Sequence, residues 1–231
     1  MKLLIVGMLS FFCAATAARA QDIAPVVVEL FTSQSCSSCP RADKILSELA
    51  QEEDVIALSC HVTYWDNLGW KDTLSQPFCT QRQEKYRVAM GERNLYTPQM
   101  IVNGQHAGNG SNIFSVRSMM GKARKTPLHA LSALYKDGTI DVELPPMEGG
   151  NEARAILIGF DETRTEKIGS GENGGKTVAY TNPVTSLEIM GVWDGKPAIL
   201  SYNVKRRATR YVVLLQKPNG TLAAASRPFA P

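Results

Sequence analysis

The chain has few of the residues from which a metal site or a strongly charged surface is built. Its 231 residues include five cysteines and three histidines. One Cys-x-x-Cys motif is present, with neither a second such motif nor a paired-histidine motif to complete a structural zinc site. The 25 basic and 22 acidic residues nearly balance, and no basic stripe stands out, which argues against nucleic acid and anionic membranes as partners.

The first twenty residues predict export from the cytoplasm. Lys2 supplies a positive start, residues 3–15 form an apolar run, and the sequence Ala-Arg-Ala at 18–20 fits a cleavage site. The run is too short to span a bilayer comfortably, and no later segment approaches twenty apolar residues. Residues 1–20 are therefore predicted to be a signal peptide, with an uncleaved membrane anchor as the alternative. The mature chain would begin near Gln21 and be periplasmic or secreted, with no stable membrane span.

Two regions with different patterns follow. Residues 26–31 are β-branched and almost wholly apolar, residues 42–49 repeat apolar side chains at helical spacing, and residues 55–60 form a second apolar run. Strand, helix and strand in so short a stretch predict a parallel βαβ unit. Toward the C-terminus, short apolar runs alternate with Gly-, Pro- and Asn-rich connections, which predicts a small, mostly antiparallel β region. We therefore predict an α/β protein with a first domain at 21–127 and a β-rich region at 128–231.

The Cys-x-x-Cys motif, Cys36-Ser37-Ser38-Cys39, lies where the first predicted strand gives way to the first predicted helix. At such a junction the first cysteine meets unpaired backbone N–H groups and the positive end of the helix dipole, which favour its thiolate. The hydroxyls of Ser37 and Ser38 can donate to the same sulfur. We predict an exposed, reactive thiolate at Cys36 and a more buried resolving thiol at Cys39.

Three features together resemble the thioredoxin superfamily. They are the apolar strand, the Cys-Ser-Ser-Cys turn after it, and Thr97-Pro98 just before the apolar run 100–102. The resemblance implies a thioredoxin-like βαβ…ββα domain, in which Pro98 is cis and faces the dithiol. Thr97 would then offer backbone hydrogen bonds to an extended substrate.

The same resemblance implies a third catalytic residue. Glu29 is similar to the acidic residue that lies under the dithiol in this superfamily and helps to take the proton from the resolving cysteine. It lies one residue farther from Cys36 than is usual there. An edge or solvent-facing strand position is the alternative, since buried carboxylates are rare without a task.

A narrower resemblance covers nearly the whole mature chain. Residues 29–34, 36–40, 61–70 and 96–99, with Trp193-Asp194-Gly195, are similar to motifs of an uncharacterised family of secreted bacterial thioredoxin-like proteins, the domain of unknown function 1223. This resemblance supports the predicted fold. It implies no substrate that can be carried over.

Cys60 and Cys79 have no counterpart in the superfamily pattern. Cys60 would end a strand and Cys79 would lie in the first turns of the next helix, so the two can meet. In an oxidising compartment we predict a structural disulfide between them. Two free core thiols, or a second redox pair that relays electrons from the first, are the alternatives.

The segment 61–70 carries an unusual cluster of aromatic residues. One interpretation is a wall of a groove beside the dithiol, with His61 tuning the thiolate or serving as a ligand. The other is that the aromatic side chains only pack a long loop onto the domain. The residues predicted to bind substrate are Ser37, Ser38, His61, Trp65, Thr97 and Pro98.

Three functions fit these motifs. The first is a thiol–disulfide oxidoreductase without a cofactor, in which Cys36 attacks a disulfide of a protein or small-thiol substrate and Cys39 resolves the mixed disulfide. An unknown redox partner would return the cysteine pair to its starting state, and oxidation, reduction and isomerisation of the substrate all fit the motif. The second is a Cu(I)-binding protein that uses the two thiolates and either His61 or His106. The third is a non-catalytic binding module whose dithiol is locked as a structural disulfide.

Overall fold

The structure, a computed structural model, describes residues 23–146 and 152–231. The predicted signal peptide lies outside the described residues. Within them the chain forms three α-helices, a four-stranded sheet, a seven-stranded sheet and a separate two-stranded sheet. The predicted α/β class is confirmed, and sheets dominate the fold. Of the helices in the described ranges, none combines the length and the apolar character that a membrane crossing requires.

The first part of the chain forms a four-stranded mixed sheet. Its elements are β1 (Val26–Thr32), α1 (Cys39–Leu49), β2 (Val55–His61), α2 (Pro77–Met90), β3 (Gln99–Val102), β4 (His106–Asn109) and α3 (Ile113–Ala123). The strand order is β2-β1-β3-β4, with β1 and β2 parallel and the other two pairs antiparallel. Because α1 connects the two parallel strands, this part follows the predicted order of strand, helix and strand.

β1 is buried on both faces, as its apolar sequence predicts. Val28 and Leu30 pack with α1 and α3, whereas Val27 and Phe31 face the opposite way, into a core shared with the C-terminal strands. Successive side chains of a strand point to opposite faces. Each residue of β1 and β2 can therefore be assigned either to the face that α1 covers or to the shared core.

The C-terminal part is almost entirely β-structure. Its elements are β5 (His129–Lys136), β6 (Thr139–Leu144), β7 (Ala153–Phe160), β8 (Thr163–Lys167), β9 (Thr177–Thr181), β10 (Val184–Trp193), β11 (Ala198–Asn203), β12 (Arg210–Gln216) and β13 (Leu222–Ser226). Seven of them form a sheet in the order β10-β7-β12-β13-β5-β6-β11, which is antiparallel except where β13 meets β5. The edge strands approach each other, and the Tyr202 hydroxyl of β11 donates to Glu188 of β10 at 3.0 Å. The sheet is thereby nearly closed into a barrel.

The two parts share one core and one crossing hairpin. Phe31 of β1 lies in the same buried cluster as Phe160 of β7. The hairpin of β8 and β9 leaves the seven-stranded sheet and reaches α1 and β2. At its base the side chain of Asn182 donates to the Ala57 carbonyl oxygen at 2.8 Å. The division into domains after residue 127 stays a prediction.

Candidate dithiol site

Cys36 and Cys39 form a disulfide at the N-terminus of α1, with their Cα atoms 5.4 Å apart. The helix begins at Cys39 and carries Pro40 in its first turn, where a missing N–H breaks no intrahelical hydrogen bond. The backbone N–H of Cys39 donates to the Cys36 carbonyl oxygen at 3.2 Å. The motif is therefore a tight turn at the junction of strand and helix.

Both cysteines are closed off from solvent in the disulfide form. Cys36 is 1 % exposed and Cys39 is 0 % exposed. The burial of Cys39 agrees with the sequence analysis, but the predicted exposure of Cys36 is wrong for this state. Ser37 and Ser38 are exposed, and Ser38 Oγ lies 3.5 Å from Cys36 Sγ.

The cover over Cys36 comes from the C-terminal half of the chain. We call residues 168–176, which connect β8 to β9, the covering loop. Its buried Asn173 donates from Nδ2 to the carbonyl oxygens of Cys36 at 2.8 Å and Gln34 at 2.9 Å. The carboxylate of Glu172 accepts from a backbone N–H between the two cysteines at 3.2 Å. Sequence reasoning missed these residues because Asn173 lies 137 positions from Cys36.

The aromatic segment 61–70 packs against the covering loop through Trp70. The ring of Trp70 lies so close to Gly169 that a Cβ atom there would come within 2.5 Å of it, so this position needs glycine. The indole N–H of Trp70 donates to Gln34 Oε1 at 2.7 Å. Trp65, which was predicted to bind substrate, packs on the shared core. The tryptophan that contacts the segment leading into the dithiol is therefore Trp70.

Glu29 lies on the face of β1 that points away from α1. Its carboxylate accepts hydrogen bonds from the Arg82 guanidinium and, at 2.6 Å, from the Tyr86 hydroxyl. Burial acts to lower the pKa of Arg82, but the Glu29 carboxylate and Tyr86 together raise it. Glu29 therefore does not lie under the dithiol, as was predicted. Its spacing from Cys36 is one residue longer than usual, and an offset of one residue in a strand turns a side chain to the opposite face.

On the face that α1 covers, the carboxylate below the dithiol turn is Asp43. It lies one helical turn beyond Cys39, so the two side chains share one face of α1. Thr32 Oγ1 donates to Asp43 Oδ1 at 2.9 Å. Burial raises the pKa of Asp43 to about 7, against the opposing influence of His61. Sequence analysis missed Asp43, although its spacing of four from Cys39 is a signal that could have found it.

His61 ends β2 and faces α1, because it pairs in register with Thr32. It is 1 % exposed, and its Nδ1 lies 2.7 Å from Asp72 Oδ2. The same oxygen accepts from the Gln34 N–H at 2.8 Å, which ties the pair to the segment before the dithiol. Burial acts to raise the pKa of Asp72, but His61 and backbone N–H groups hold it below its ordinary value. The predicted influence of His61 on the dithiol stays a prediction.

The Thr97–Pro98 peptide bond is cis. The Pro98 carbonyl oxygen accepts from the Gly110 N–H at 3.0 Å. The next residue, Ser111, donates from Oγ to the Ser38 carbonyl oxygen at 2.9 Å. A short chain of contacts thus connects the proline turn to the dithiol turn.

Three buried polar atoms around Thr97 lack a hydrogen-bond partner in the described part of the chain. They are Thr97 Oγ1, Trp65 Nε1 and Gln83 Oε1. The Tyr64 hydroxyl lies beside these three side chains, and burial raises its pKa to about 12. Buried polar groups are normally satisfied, so these three atoms are exceptions, and the Tyr64 hydroxyl is the polar group placed beside them. The substrate-binding roles of Thr97 and Trp65 stay predictions.

The second disulfide joins Cys60 of β2 to Cys79 of α2, with their Cα atoms 5.4 Å apart. Both residues are buried in the shared core. Cys60 precedes His61 in β2, so its side chain points away from α1. The pair is therefore bonded rather than present as two free thiols, and the sheet separates it from the first disulfide.

Across residues 23–146 and 152–231, no group of three or more His, Cys, Asp and Glu side chains is placed to hold a metal ion. The ligand set of the Cu(I) hypothesis, two cysteines with His61 or His106, is therefore not assembled in this state. His106 lies in β4, where burial and Lys122 lower its pKa.

Comparison with known proteins finds a family and solved structures that match over most of the chain, and a relative that matches only a short stretch. The family described as "Protein of unknown function (DUF1223)" matches residues 27–216. Protein AGR_C_4864 from Agrobacterium tumefaciens, known from its X-ray crystal structure, is 32 % identical, with a TM-score of 0.73 over 89 % of this chain and 93 % of that one. HBP35 of Porphyromonas gingivalis, 13 % identical with a TM-score of 0.58 over 90 % of this chain and 75 % of that one, shares the fold alone.

A further relative matches only a short stretch. A "Probable Thioredoxin" of Archaeoglobus fulgidus is 46 % identical over 37 residues, which are 16 % of this chain and 41 % of that protein. The match to the DUF1223 family, by contrast, includes both disulfides and every strand from β2 to β12. The chain belongs to the DUF1223 family of proteins of unknown function.

Proposed function

We propose that the chain is an extracytoplasmic thiol–disulfide oxidoreductase built on a thioredoxin-like domain. The observation that carries the proposal is the Cys36–Cys39 disulfide at the N-terminus of α1, directly after a buried strand. The parallel β1-α1-β2 unit, followed by antiparallel β3 and β4 and then α3, supports the thioredoxin-like fold. Two disulfides fit an oxidising compartment outside the cytoplasm.

Cys36 is the nucleophile of the reduced form. The N-terminus of α1 favours its thiolate through the helix dipole and unpaired N–H groups. The thiolate attacks one sulfur of a client disulfide and forms a mixed disulfide, and the other client sulfur leaves as a thiolate that takes a proton from water. Cys39 then loses its proton and attacks Cys36 Sγ, and the remaining client sulfur leaves. Two electrons pass from the dithiol to the client, and the reverse steps oxidise a client dithiol.

The covering loop has to leave Cys36 before a client disulfide can reach it. In the closed form Asn173 and Glu172 form hydrogen bonds with backbone carbonyl and N–H groups of the motif and of the residues just before it. Opening the loop frees those groups as well as the sulfur. An extended client would then continue toward Thr97, where polar atoms stand without partners.

Trapping the mixed disulfide tests the proposal. The reduced Cys39→Ala variant is incubated with oxidised glutathione, and the adduct is located by mass spectrometry after proteolysis. We expect one glutathione per chain, attached to Cys36. The Cys36→Ala variant is the matched control and should react far more slowly at Cys39, since Cys39 lies within α1 whereas Cys36 lies in the turn before it. Equal reaction at the two sulfurs, or none at either, contradicts the proposal.

A non-catalytic binding module is the second candidate, and the burial of Cys36 under the covering loop favours it. In that case the first disulfide would only tie the turn to the helix. A redox titration separates the two candidates, because structural disulfides have reduction potentials below about −300 mV. A higher potential supports the oxidoreductase.

A further inference from the structure

A groove of about 490 Å³ lies between α2 and the C-terminal sheet. One wall is the outer part of α2, and the other is formed by β7, β10 and the turn that follows β12. No residue of the dithiol turn or of the covering loop lines it. Small-molecule sites are concave, have volumes of about 300–1,000 Å³ and often lie where two parts of a protein meet. The groove has the size and the position of such a site.

The sheet wall of the groove is a row of three residues. Val192 of β10 pairs with Arg154 of β7, and Arg154 pairs with Gln216 of β12. Residues that pair directly across strands project from the same face. Two and four residues farther along β7, Ile156 and Ile158 lie in the shared core. The apolar core face therefore ends in a cationic and an amide side chain at the groove.

Arg82 is the buried cation of the groove, with 5 % of its surface exposed. Its Nε and Nη2 groups donate to the Glu29 carboxylate, and Nη2 also donates to the Tyr86 hydroxyl. Within the described residues, Nη1 has one acceptor, Gln216 Oε1, at 3.3 Å. That distance is long for an N–H···O bond, and Nη1 carries two hydrogens. The Nη1 group can therefore donate to a further oxygen beside Gln216.

The rim of the groove is mainly positive. It carries three more cationic side chains, those of Lys85, Arg154 and Lys217. None of the three forms an ion pair with another described residue. Of the two acidic residues in the lining, Glu84 is paired with Arg87, which leaves Glu152 to oppose them. A concave site lined by one sign of charge attracts ligands of the other sign, so the groove favours an anion.

Apolar side chains stand on both walls between these charges. Val88 of α2 is 64 % exposed and Val192 of β10 is 62 % exposed, and both line the groove together with Ala89 and Pro218. Exposed apolar side chains that gather in a groove with a polar rim are typical of a binding site. A fully hydrated inorganic anion would leave this surface uncovered. The ligand therefore needs an apolar body as well as a negative charge.

We infer that the groove binds a small organic carboxylate with an apolar body. A carboxylate has two oxygens in one plane, which suits the planar donor groups of guanidinium side chains. The carboxylate accepts from Arg82 Nη1 and from the Arg154 side chain, and the Lys85 and Lys217 charges hold it from the rim. The apolar body lies against Val88 and Val192. The site is separate from the cysteines, and the inference goes beyond the proposed oxidoreductase function without depending on it.

Octanoate is the probe, and binding is followed in the oxidised, isotope-labelled protein through the NMR shifts of its backbone amides. We expect shifts in α2 and around Arg154 and Gln216, with a dissociation constant on the order of 0.1–1 mM for a ligand of this size. Octanol and octyltrimethylammonium have the same chain without the negative charge. Both should bind at least about tenfold more weakly, because neither offers an anionic acceptor to the cations.

Two variants separate the charges of the groove from its apolar wall. The double variant Arg154→Gln, Lys217→Gln should raise the octanoate dissociation constant about tenfold. Its matched control is Lys125→Gln, Arg207→Gln, which removes the same charge from exposed positions outside the groove and should bind as the wild type does. Val192→Trp changes no charge and fills the groove from an exposed position, so it should abolish binding.

Three results would overturn the inference. One is equal binding of octanoate and octanol, since the cations would then select nothing. Another is a set of shifts outside the groove that Val192→Trp leaves unchanged. The third is no octanoate binding together with a dimer that Val192→Trp dissociates, because the groove would then be an interface between two copies of the chain. None of these results affects the trapping of glutathione at Cys36, so the oxidoreductase proposal stands or fails separately.

Discussion

The side-chain amide of Asn173 donates a hydrogen bond of 2.8 Å to the Cys36 carbonyl oxygen, across 137 residues of sequence. A second bond from the same nitrogen reaches the Gln34 carbonyl oxygen at 2.9 Å. The disulfide therefore lies at the N-terminus of α1, and the covering loop from the C-terminal part of the chain lies over it. Access to Cys36 depends on how often the covering loop opens, as local opening governs access to other closed sites.

Asn173→Ala should speed the reduction of the Cys36–Cys39 disulfide by dithiothreitol. Losing two hydrogen bonds of about 1 kcal/mol each should raise the open fraction, and with it the rate, by at least roughly tenfold. The rate is followed by alkylating free thiols at intervals and measuring the mass of the alkylated protein by mass spectrometry. Asn219→Ala is the control, because Asn219 is an exposed turn residue outside the covering loop. An Asn173→Ala rate equal to the wild-type rate would show that the covering loop does not limit access.

Arg82→Met should destabilise the fold by about 3–5 kcal/mol, because it leaves the Glu29 carboxylate buried without its charged partner. The double variant Glu29→Leu, Arg82→Met should regain most of that loss, since it removes both charges. Urea midpoints measure both effects. Arg124→Met, which removes an exposed ion pair with Asp54, is the control and should hardly move the midpoint. A double variant no more stable than Arg82→Met would contradict this account of the pair.

Local sequence patterns were enough to predict some elements and not others. β1 and α1 were predictable because a continuous apolar run and a helical spacing each leave a clear periodic signal. β10 was not, since two register shifts, between Val184 and Ser186 and between Ile189 and Gly191, interrupt its alternation. β5 has no clear signal either, because all of its residues but Leu131 are exposed or half-buried.

In the candidate site, too, local sequence patterns were enough to predict some residues and not others. Cys36 and Cys39 were identifiable because the motif and the helix start are adjacent in sequence. Glu29 was assigned from its approximate distance to the motif along the sequence. Because successive residues of a strand point to opposite faces, Glu29 lies on the face away from α1. The carboxylate on the α1 side is that of Asp43. Asn173 gave no local signal, because its role depends on how a distant hairpin packs.

Asp43→Asn should flatten part of the pH dependence of stability. The pKa of Asp43 is about 7 in the folded protein and about 3.9 in an unfolded chain. Between these values the folded state holds a proton that the unfolded state has released, so the free energy of unfolding falls as pH rises through this window. For this group alone the fall is at most about 4 kcal/mol. Urea unfolding of the oxidised protein between about pH 4 and pH 8 should show a shallower decline in Asp43→Asn, and parallel curves would refute the shift.

Removing the second disulfide should weaken the fold without changing the first. Its cysteines are 19 residues apart, and releasing a loop of that length costs about 3 kcal/mol in the chain-entropy model. We therefore expect the double variant Cys60→Ala, Cys79→Ala to have a lower urea midpoint. It should retain the wild-type rate of glutathione exchange at Cys36, because Cys60 faces the shared core on the other side of β2. If the variant stays folded but its exchange at Cys36 slows markedly, the second pair acts as an electron relay, and its purely structural role is wrong.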